Sequence, residues 1–196
     1  MNVIEHYDKL IEENNDPVHD PKPLKDYMNQ WDGQEFVDKM KLTDKKSVLE
    51  IGVGTGRIAL KTAPLCKCFC GIDISPKTIE RARDNLSKHQ NIKLICDDFL
   101  THNFDTCFDV IYSSLTFMHI KEKQACINKI ASLLNCGGCF VLSIDKNQEK
   151  YIDMGERKLE IYPDNVADIK NYVLNAGLKT VEITQTEFAY ILVVLQ

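Results

Sequence analysis

The segment Val48-Leu49-Glu50-Ile51-Gly52-Val53-Gly54-Thr55-Gly56-Arg57 runs from an apolar strand into three closely spaced glycines, and Asp73 closes a second apolar run seventeen residues after Gly56. The order forces a strand to turn abruptly into a helix beside another parallel strand tipped by an acid. Residues without a β-carbon accept positive φ and let a ligand approach backbone that any side chain would cover. The first turn of a helix starting near Thr55 and Gly56 exposes unpaired N–H groups and a partial positive charge, which favours carboxylate or phosphate. Asp73 offers two acceptor oxygens to a pair of ribose hydroxyls, as the acidic residue does in dinucleotide sites. The pairing marks a nucleoside-binding site. Glu50, just before the loop, is placed to accept a hydrogen bond from loop amides or from a ligand ammonium group.

Three nucleotide-site classes share parts of this pattern. A phosphate-cradling P-loop needs Gly-Lys-Ser/Thr after its spacer, whereas Arg57-Ile58 follows Gly56, so that class is excluded. A dinucleotide fingerprint is satisfied on glycines alone by Gly54-Thr55-Gly56-Arg57-Ile58-Ala59. The whole phrase Glu50-x-Gly52-x-Gly54-x-Gly56 with Asp73 resembles the class I S-adenosylmethionine-dependent methyltransferases, over roughly residues 45 to 196.

The 196 residues fit one domain with a full-sized core, and 44% hydrophobic with 27% charged residues is ordinary for a globular protein. Apolar stretches such as Ala189 to Leu195 fall far short of the ~20 residues of a bilayer span, and the polar N-terminus lacks a signal-peptide pattern. A cytoplasmic protein is expected. A net charge of −5 argues against a nucleic-acid partner, which requires clustered Lys and Arg. Lys77, Arg81, Arg83 and Lys88 share a helix with Glu80 and Asp84, a solvated face. Eight cysteines include Cys66-Lys67-Cys68-Phe69-Cys70 and one C-x-x-C unit, Cys136 to Cys139. Zinc sites use paired units, so free thiols in a reducing compartment and no metal are expected.

Residues 1–45 differ in texture. Val3 to Glu13 carries apolar residues at helical spacing; Pro17, Pro21 and Pro23 mark an extended linker; two further short helices follow, separated near Asp32-Gly33. This is read as a helical cap, or lid, over the cleft of a domain spanning 46–196. From Ser47 onward, strands at 47–51, 68–73, 92–96, 108–113 and 139–144 alternate with helices near 56–64, 76–88 and 121–135, the pattern of a doubly wound α/β sheet. Ser75 as N-cap with Pro76 behind it announces the second helix, and the glycines after Asn135 close the third. A helix over 164–176 ends at Gly177. The runs 179–184 and 188–195 are joined so tightly that only an antiparallel pair is possible. The expected fold is a mostly parallel seven-stranded sheet with an antiparallel C-terminal strand, helices on both faces and a helical N-terminal cap. Class I methyltransferases end on such an antiparallel strand, whereas a dinucleotide domain ends on parallel ones.

The resemblance implies site residues. Glu50, Gly52, Gly54 and Gly56 form the loop around the methionine portion of S-adenosylmethionine, and Asp73 holds its ribose. In Ile92 to Phe99, Asp98 takes the acidic role at the adenine amino group, with Asp97 as alternate; Phe99 supplies a backbone N–H, and Ile74 packs on the base. Ser113, Ser114 and Leu115, at the carboxyl end of the fourth strand, flank the sulfonium. The Asn/Asp-Pro-Pro-aromatic signature of nucleic-acid amino methylation is absent there. His119, titrating near neutrality at ~6.5, is the candidate general base; His19 and Asp20 are further candidates, and Tyr27 and Trp31 are expected in the lid against adenosine or substrate. The implied activity is methyl transfer to a small molecule, with S-adenosylhomocysteine as product. A noncatalytic nucleoside-binding regulator and an NAD-dependent oxidoreductase are the alternatives.

Overall fold

The computed structural model describes residues 1–155 and 157–196. Five parallel strands, β1 (Ser47–Ile51), β2 (Cys68–Asp73), β3 (Ile92–Cys96), β4 (Phe108–Ser114) and β5 (Leu134–Asp145), follow the apolar runs of the sequence. A short hairpin, β6 (Tyr151–Asp153) with β7 (Lys158–Glu160), stands apart from the main sheet; its three-residue strands leave no periodic signature in the sequence. Strands β8 (Lys179–Gln185) and β9 (Ala189–Leu195) complete a seven-stranded sheet of order β3-β2-β1-β4-β5-β9-β8. Strand β9 runs antiparallel to both β5 and β8, as the three-residue connection between β8 and β9 requires. The strand order reverses between β1 and β4, and ligands of open α/β sheets bind outside the carboxyl ends at such a switch point.

Alternation along the strands builds two cores. Leu49, Ile51 and Ile72 face the layer formed by α6 (Lys123–Leu133) and α7 (Val166–Asn175), where Ile127, Ile130 and Ile169 are buried. Val48 and Phe69 face the opposite layer, against Phe36 and Val37 of α3 (Gly33–Lys39) and Ile79 and Ala82 of α5 (Pro76–Asn85). Each fully buried side chain of this size contributes about 1.5–3 kcal/mol relative to exposure. Packing on both faces therefore fixes where the strands end, and so where their loops converge.

Helix α5 starts as its sequence announces, with the Thr78 amide donating to Ser75 Oγ at 3.1 Å and Pro76 in the first turn. Gly177, at φ 76°, follows α7 in the left-handed conformation. Two boundaries differ from expectation. The helix after the glycine loop is reduced to α4 (Ala59–Thr62) and a 3-10 turn at Ala63–Leu65, where Pro64 lies. Helix α6 stops at Leu133 rather than at the glycines, because Leu134 already pairs with Phe108 of β4.

The N-terminal residues form α1 (Val3–Glu12), α2 (Lys22–Met28) and α3. Asn2 and Glu5 cap α1 reciprocally, each side chain accepting from the other's backbone N–H at 2.9 and 3.1 Å. Asp8 of α1 then reaches α5, its Oδ1 accepting from Ser75 Oγ at 2.6 Å and from the Lys77 amide at 3.2 Å. Helix α1 is thereby docked on the start of α5, directly after the Asp73 strand tip. No helix among the described residues is long and apolar enough to cross a membrane.

Candidate functional site

A cavity of about 680 Å³ opens at the carboxyl ends of β1, β2, β3 and β4, bounded by α1 and by β7 with Tyr162 just beyond it. Asp73, at the tip of β2, has both oxygens engaged by backbone: Oδ2 accepts from the Gly54 amide at 2.9 Å and Oδ1 from the Ser75 amide at 3.0 Å. Burial pushes its carboxyl above the usual range, against the pull of those amides. A carboxylate has about four lone-pair sites, so two remain for hydroxyl donors.

The three loop glycines have different reasons to be glycine. A β-carbon at Gly56 would lie 2.9 Å from Leu86 Cδ1, and one at Gly52 would overlap Thr116. Only at Gly54, with φ 56°, is there nothing within 4 Å. Gly52 and Gly54 line the cavity; Gly56 does not, and its missing β-carbon makes room for Leu86.

Beyond β3, the turn 97–102 carries the two candidate acids. Asp97 Oδ1 accepts from the Asp98 amide and its Oδ2 contacts His102 Nδ1, both at 2.8 Å, an arrangement in which His102 holds the carboxyl low. Asp98 Oδ1 accepts from the Leu100 amide at 2.7 Å, leaving Oδ2 without a partner among the described residues. The Phe99 N–H also has no acceptor among the described residues. Asp97, Asp98, Phe99 and Ile74 all line the cavity.

Glu50 is 2% exposed, and its carboxylate accepts from Tyr112 Oη at 2.8 Å, not from the loop amides. Burial raises its pKa well above normal. Beside it Arg57 forks onto Asp32 at 2.9 and 2.5 Å, and Asp32 Oδ2 also accepts from Ser114 Oγ at 2.7 Å. Neither Arg57 nor Asp32 stands out in the sequence; 25 residues separate them, although Arg57 closes the glycine run.

At the exit of β4 the chain turns through Leu115, held at φ 54°. Backbone strain of this kind in a non-glycine residue clusters at functional sites. The turn sets Thr116 over Gly52 and leads into the 3-10 turn Phe117–His119. His119 Nε2 and Tyr7 Oη, both lining the cavity, form a 2.7 Å hydrogen bond with the rings edge to face. Burial lowers His119 to about 4 and raises the Tyr7 phenol far above its usual value, so both are neutral near pH 7. Tyr7 is invisible as a site residue from sequence, where it reads only as one apolar position of α1.

Several expected residues lie elsewhere. Ser113 is fully buried and donates to the Ile51 carbonyl at 2.9 Å; successive strand residues face opposite sides, and Ser114 is the one that reaches the cavity. His19 sits at the surface, hydrogen-bonded to Asn85 at 2.9 Å, and neither it nor Asp20 lines the cavity. Tyr27 and Trp31 cluster with Phe188, with centroids 4.6 to 5.5 Å apart, and neither lines the cavity; Met28, the last residue of α2, does. Among the described residues no group of His, Cys, Asp or Glu is arranged to hold a metal, and all eight thiols are free.

A family model described as a methyltransferase domain matches residues 48–138. An uncharacterized methyltransferase of Anoxybacillus flavithermus is 31% identical over 153 residues, covering 74% of this chain and 70% of the relative. The malonyl-[acyl-carrier protein] O-methyltransferase 1 of Ilyobacter polytropus is 31% identical over 121 residues, covering 60% of this chain and 44% of the relative. The chain spans about half the length of several curated relatives it matches. In fold it is similar to the N-methyltransferase NodS of Bradyrhizobium japonicum in complex with S-adenosyl-L-homocysteine, with TM-score 0.73 and 18% identity over 100% of this chain and 99% of that one. Sequence kinship over most of a relative's length, joined to the sheet order and the acid-tipped second strand, gives the assignment: the chain belongs to the class I S-adenosylmethionine-dependent methyltransferases.

Proposed function

We infer that the protein transfers a methyl group from S-adenosylmethionine to a small molecule bearing an O–H or N–H. The observation that carries the reading is the Tyr7–His119 hydrogen bond, which joins α1 to the segment after β4 in the wall of the cavity. The residues present fit the cofactor: Gly54 leaves an unfilled cradle, Phe99 keeps an amide free, and Asp73 and Asp98 keep free acceptor sites. Asp73 would hold the ribose, Asp98 and the Phe99 amide the adenine, and Glu50 with the glycine loop the amino-acid end. When bound, the cofactor supplies a methyl group already activated by its sulfonium.

The protein's own share is positioning and proton handling. Ser114, Leu115 and Thr116, with Lys121, Glu160 and Tyr162, line the cavity together with the Tyr7–His119 pair. Tyr7 Oη orients the acceptor by a hydrogen bond and takes its proton as the phenolic proton passes to His119 Nε2. Neutral His119 is ready to accept at pH 7, and its lowered pKa returns the proton readily to solvent. The named relatives include both an O- and an N-methyltransferase, consistent with proton-bearing acceptors of either kind.

Calorimetry with S-adenosylhomocysteine, beside a labelled-methyl screen of small-molecule extracts, tests the reading. Binding together with label incorporation into a metabolite is expected. Binding without turnover on any pool favours a noncatalytic regulator and overturns the proposed activity.

A further inference from the structure

The seven-stranded sheet ends on β3 at one side and on β8 at the other, and an edge strand presents a row of unpaired N–H and C=O groups. The two edges differ. Strand β3 carries an exposed lysine, Lys93, inside the strand, a charge that blunts an edge against further pairing. In β8 the lysine, Lys179, stands at the first position, and the interior residues Val181 and Ile183 are 45% and 40% exposed. Apolar side chains beside free backbone groups are what an added strand covers.

The hydrogen-bond phase of the β8–β9 ladder sets what this edge offers. The Thr186 amide donates to the Ala189 carbonyl at 2.9 Å, and bonded and non-bonded pairs alternate along an antiparallel ladder. Ile183, opposite Leu192, therefore falls in a non-bonded pair and turns its own N–H and C=O outward. The other side of β9 agrees: the Lys146 amide donates to the Phe188 carbonyl at 2.8 Å, which by the same alternation commits the backbone of Leu192 to β5. Cross-strand partners share a face, so Ile183 stands with Leu192 on the side of α6 and α7. Glu182 stands on the opposite side, where Lys39 of α3 pairs with it at 2.7 Å.

We propose that β8 pairs antiparallel with β8 of a second copy of this chain, about a two-fold axis at Ile183, joining the two sheets into one. In that register Ile183 meets Ile183 of the second copy, and the two exchange their outward backbone hydrogen bonds. Glu182, its charge matched by Lys39, stands opposite Thr184 of the second copy, whose hydroxyl has no partner within one chain. Lys179 comes to the end at which the second copy carries Glu187, an opposite-charge contact that the two-fold repeats. An axis at Glu182 would instead set two carboxylates directly opposite each other, which is unfavourable. The contact is isologous and closes at two copies. The bulge between Thr180 and Glu182 shortens the regular pairing, so a Kd of about 10–100 μM is expected, that of a contact below standard size.

Sedimentation velocity on the whole chain between about 5 and 500 μM, a range that brackets this Kd, is expected to show a monomer passing into a dimer. A monomer at every concentration overturns the proposal. Ile183→Lys should weaken the dimer at least tenfold while its circular dichroism matches wild type, and an unchanged Kd overturns the proposal. Ile183→Cys gives a measurement that does not require a charge at the seam. Facing α-carbons of a bonded pair lie about 5.5 Å apart, within disulfide range, so mild oxidation should yield a covalent dimer with position 183 linked to itself in the digested peptides. Val181→Cys, which faces Gln185 of the second copy, should link far less. Equal linking by both variants, or no link at position 183, overturns the proposal.

Discussion

Thr116 fills the space that a β-carbon on Gly52 would need: such an atom would lie 2.0 Å from Thr116 Oγ1 and 2.4 Å from Cγ2. The glycine loop and the β4 exit are therefore fitted to each other, and Gly52 is glycine for the protein's packing. Gly54 faces open space with φ 56°. Gly52→Ala should lower stability by several kcal/mol, adding overlap to the ~1–2 kcal/mol of a left-handed alanine. Gly54→Ala should cost only that conformational term yet weaken S-adenosylhomocysteine binding more than tenfold. Thermal unfolding and calorimetry on both variants check this; equal profiles would refute the division of roles.

The parts of the site legible in the sequence are those written in contiguous residues. Strand β1, its glycines and Asp73 sit on neighbouring strand tips because the alternation of apolar runs dictates a parallel sheet. The parts that are not legible depend on contacts between distant segments. Tyr7 meets His119 across 112 positions, and Asp32 meets Arg57 only once α3 has packed. Ser113 and Ser114 differ by one residue of strand register, which the sequence alone does not phase. Tyr27 and Trp31 show the converse: a lid is expected to turn its aromatic residues inward, but Phe188 gives them a partner outside the cavity.

Asp73→Ala removes an acceptor from both the ribose and the Gly54 and Ser75 amides. Loss of hydrogen bonds to a charged group of roughly 1.5–3 kcal/mol should appear in the Kd for S-adenosylhomocysteine. Calorimetry on a variant shown by circular dichroism to be folded decides it, and an unchanged Kd removes Asp73 from the ribose.

Glu50 trades stability for a carboxylate in the cavity. Burial raises its folded pKa, so between the ordinary carboxylate value and the raised one the folded state holds a proton that the unfolded state has lost. Stability therefore falls as pH rises through that window, by up to about 1.4 kcal/mol per pH unit. Glu50→Gln keeps an acceptor for Tyr112 Oη and does not titrate. It should melt above wild type at pH 8, approach wild type at pH 4, and bind S-adenosylhomocysteine more weakly. Denaturation curves at the two pH values check the sign.

For His119 the sign is opposite. Its folded pKa of about 4 lies below the unfolded 6.5, so within that interval only the unfolded state binds the proton and stability falls as pH is lowered. The stability difference between wild type and His119→Gln should change by up to ~1.4 kcal/mol per pH unit there and level off above pH 7. If the pair also takes the acceptor's proton, Tyr7→Phe and His119→Gln should each lower kcat by about 10²-fold, the lower end for acid–base groups because the base is weak. Cofactor affinity should be unchanged. A full rate in Tyr7→Phe would leave the pair only a structural role.

The loop that carries His119 is itself held by a buried ion pair. Lys123 Nζ lies 2.7 Å from Asp164 Oδ1, with both side chains under 10% exposed, and also donates to the carbonyls of Phe117 and Tyr162. Burial lowers the lysine and raises the aspartate; their mutual attraction opposes both changes. Lys123→Met leaves the aspartate unpaired and frees two carbonyls, and removing one partner of such a pair costs roughly 3–5 kcal/mol. Lys123→Met with Asp164→Leu should recover much of that loss, but not the two carbonyl contacts. Because those contacts join the His119 turn to the segment bearing Tyr162, the double variant should regain stability before it regains turnover. Urea denaturation and a methyl-transfer assay on the same preparations separate the two effects, and parallel recovery of both would show that the pair stabilises the fold without positioning the site.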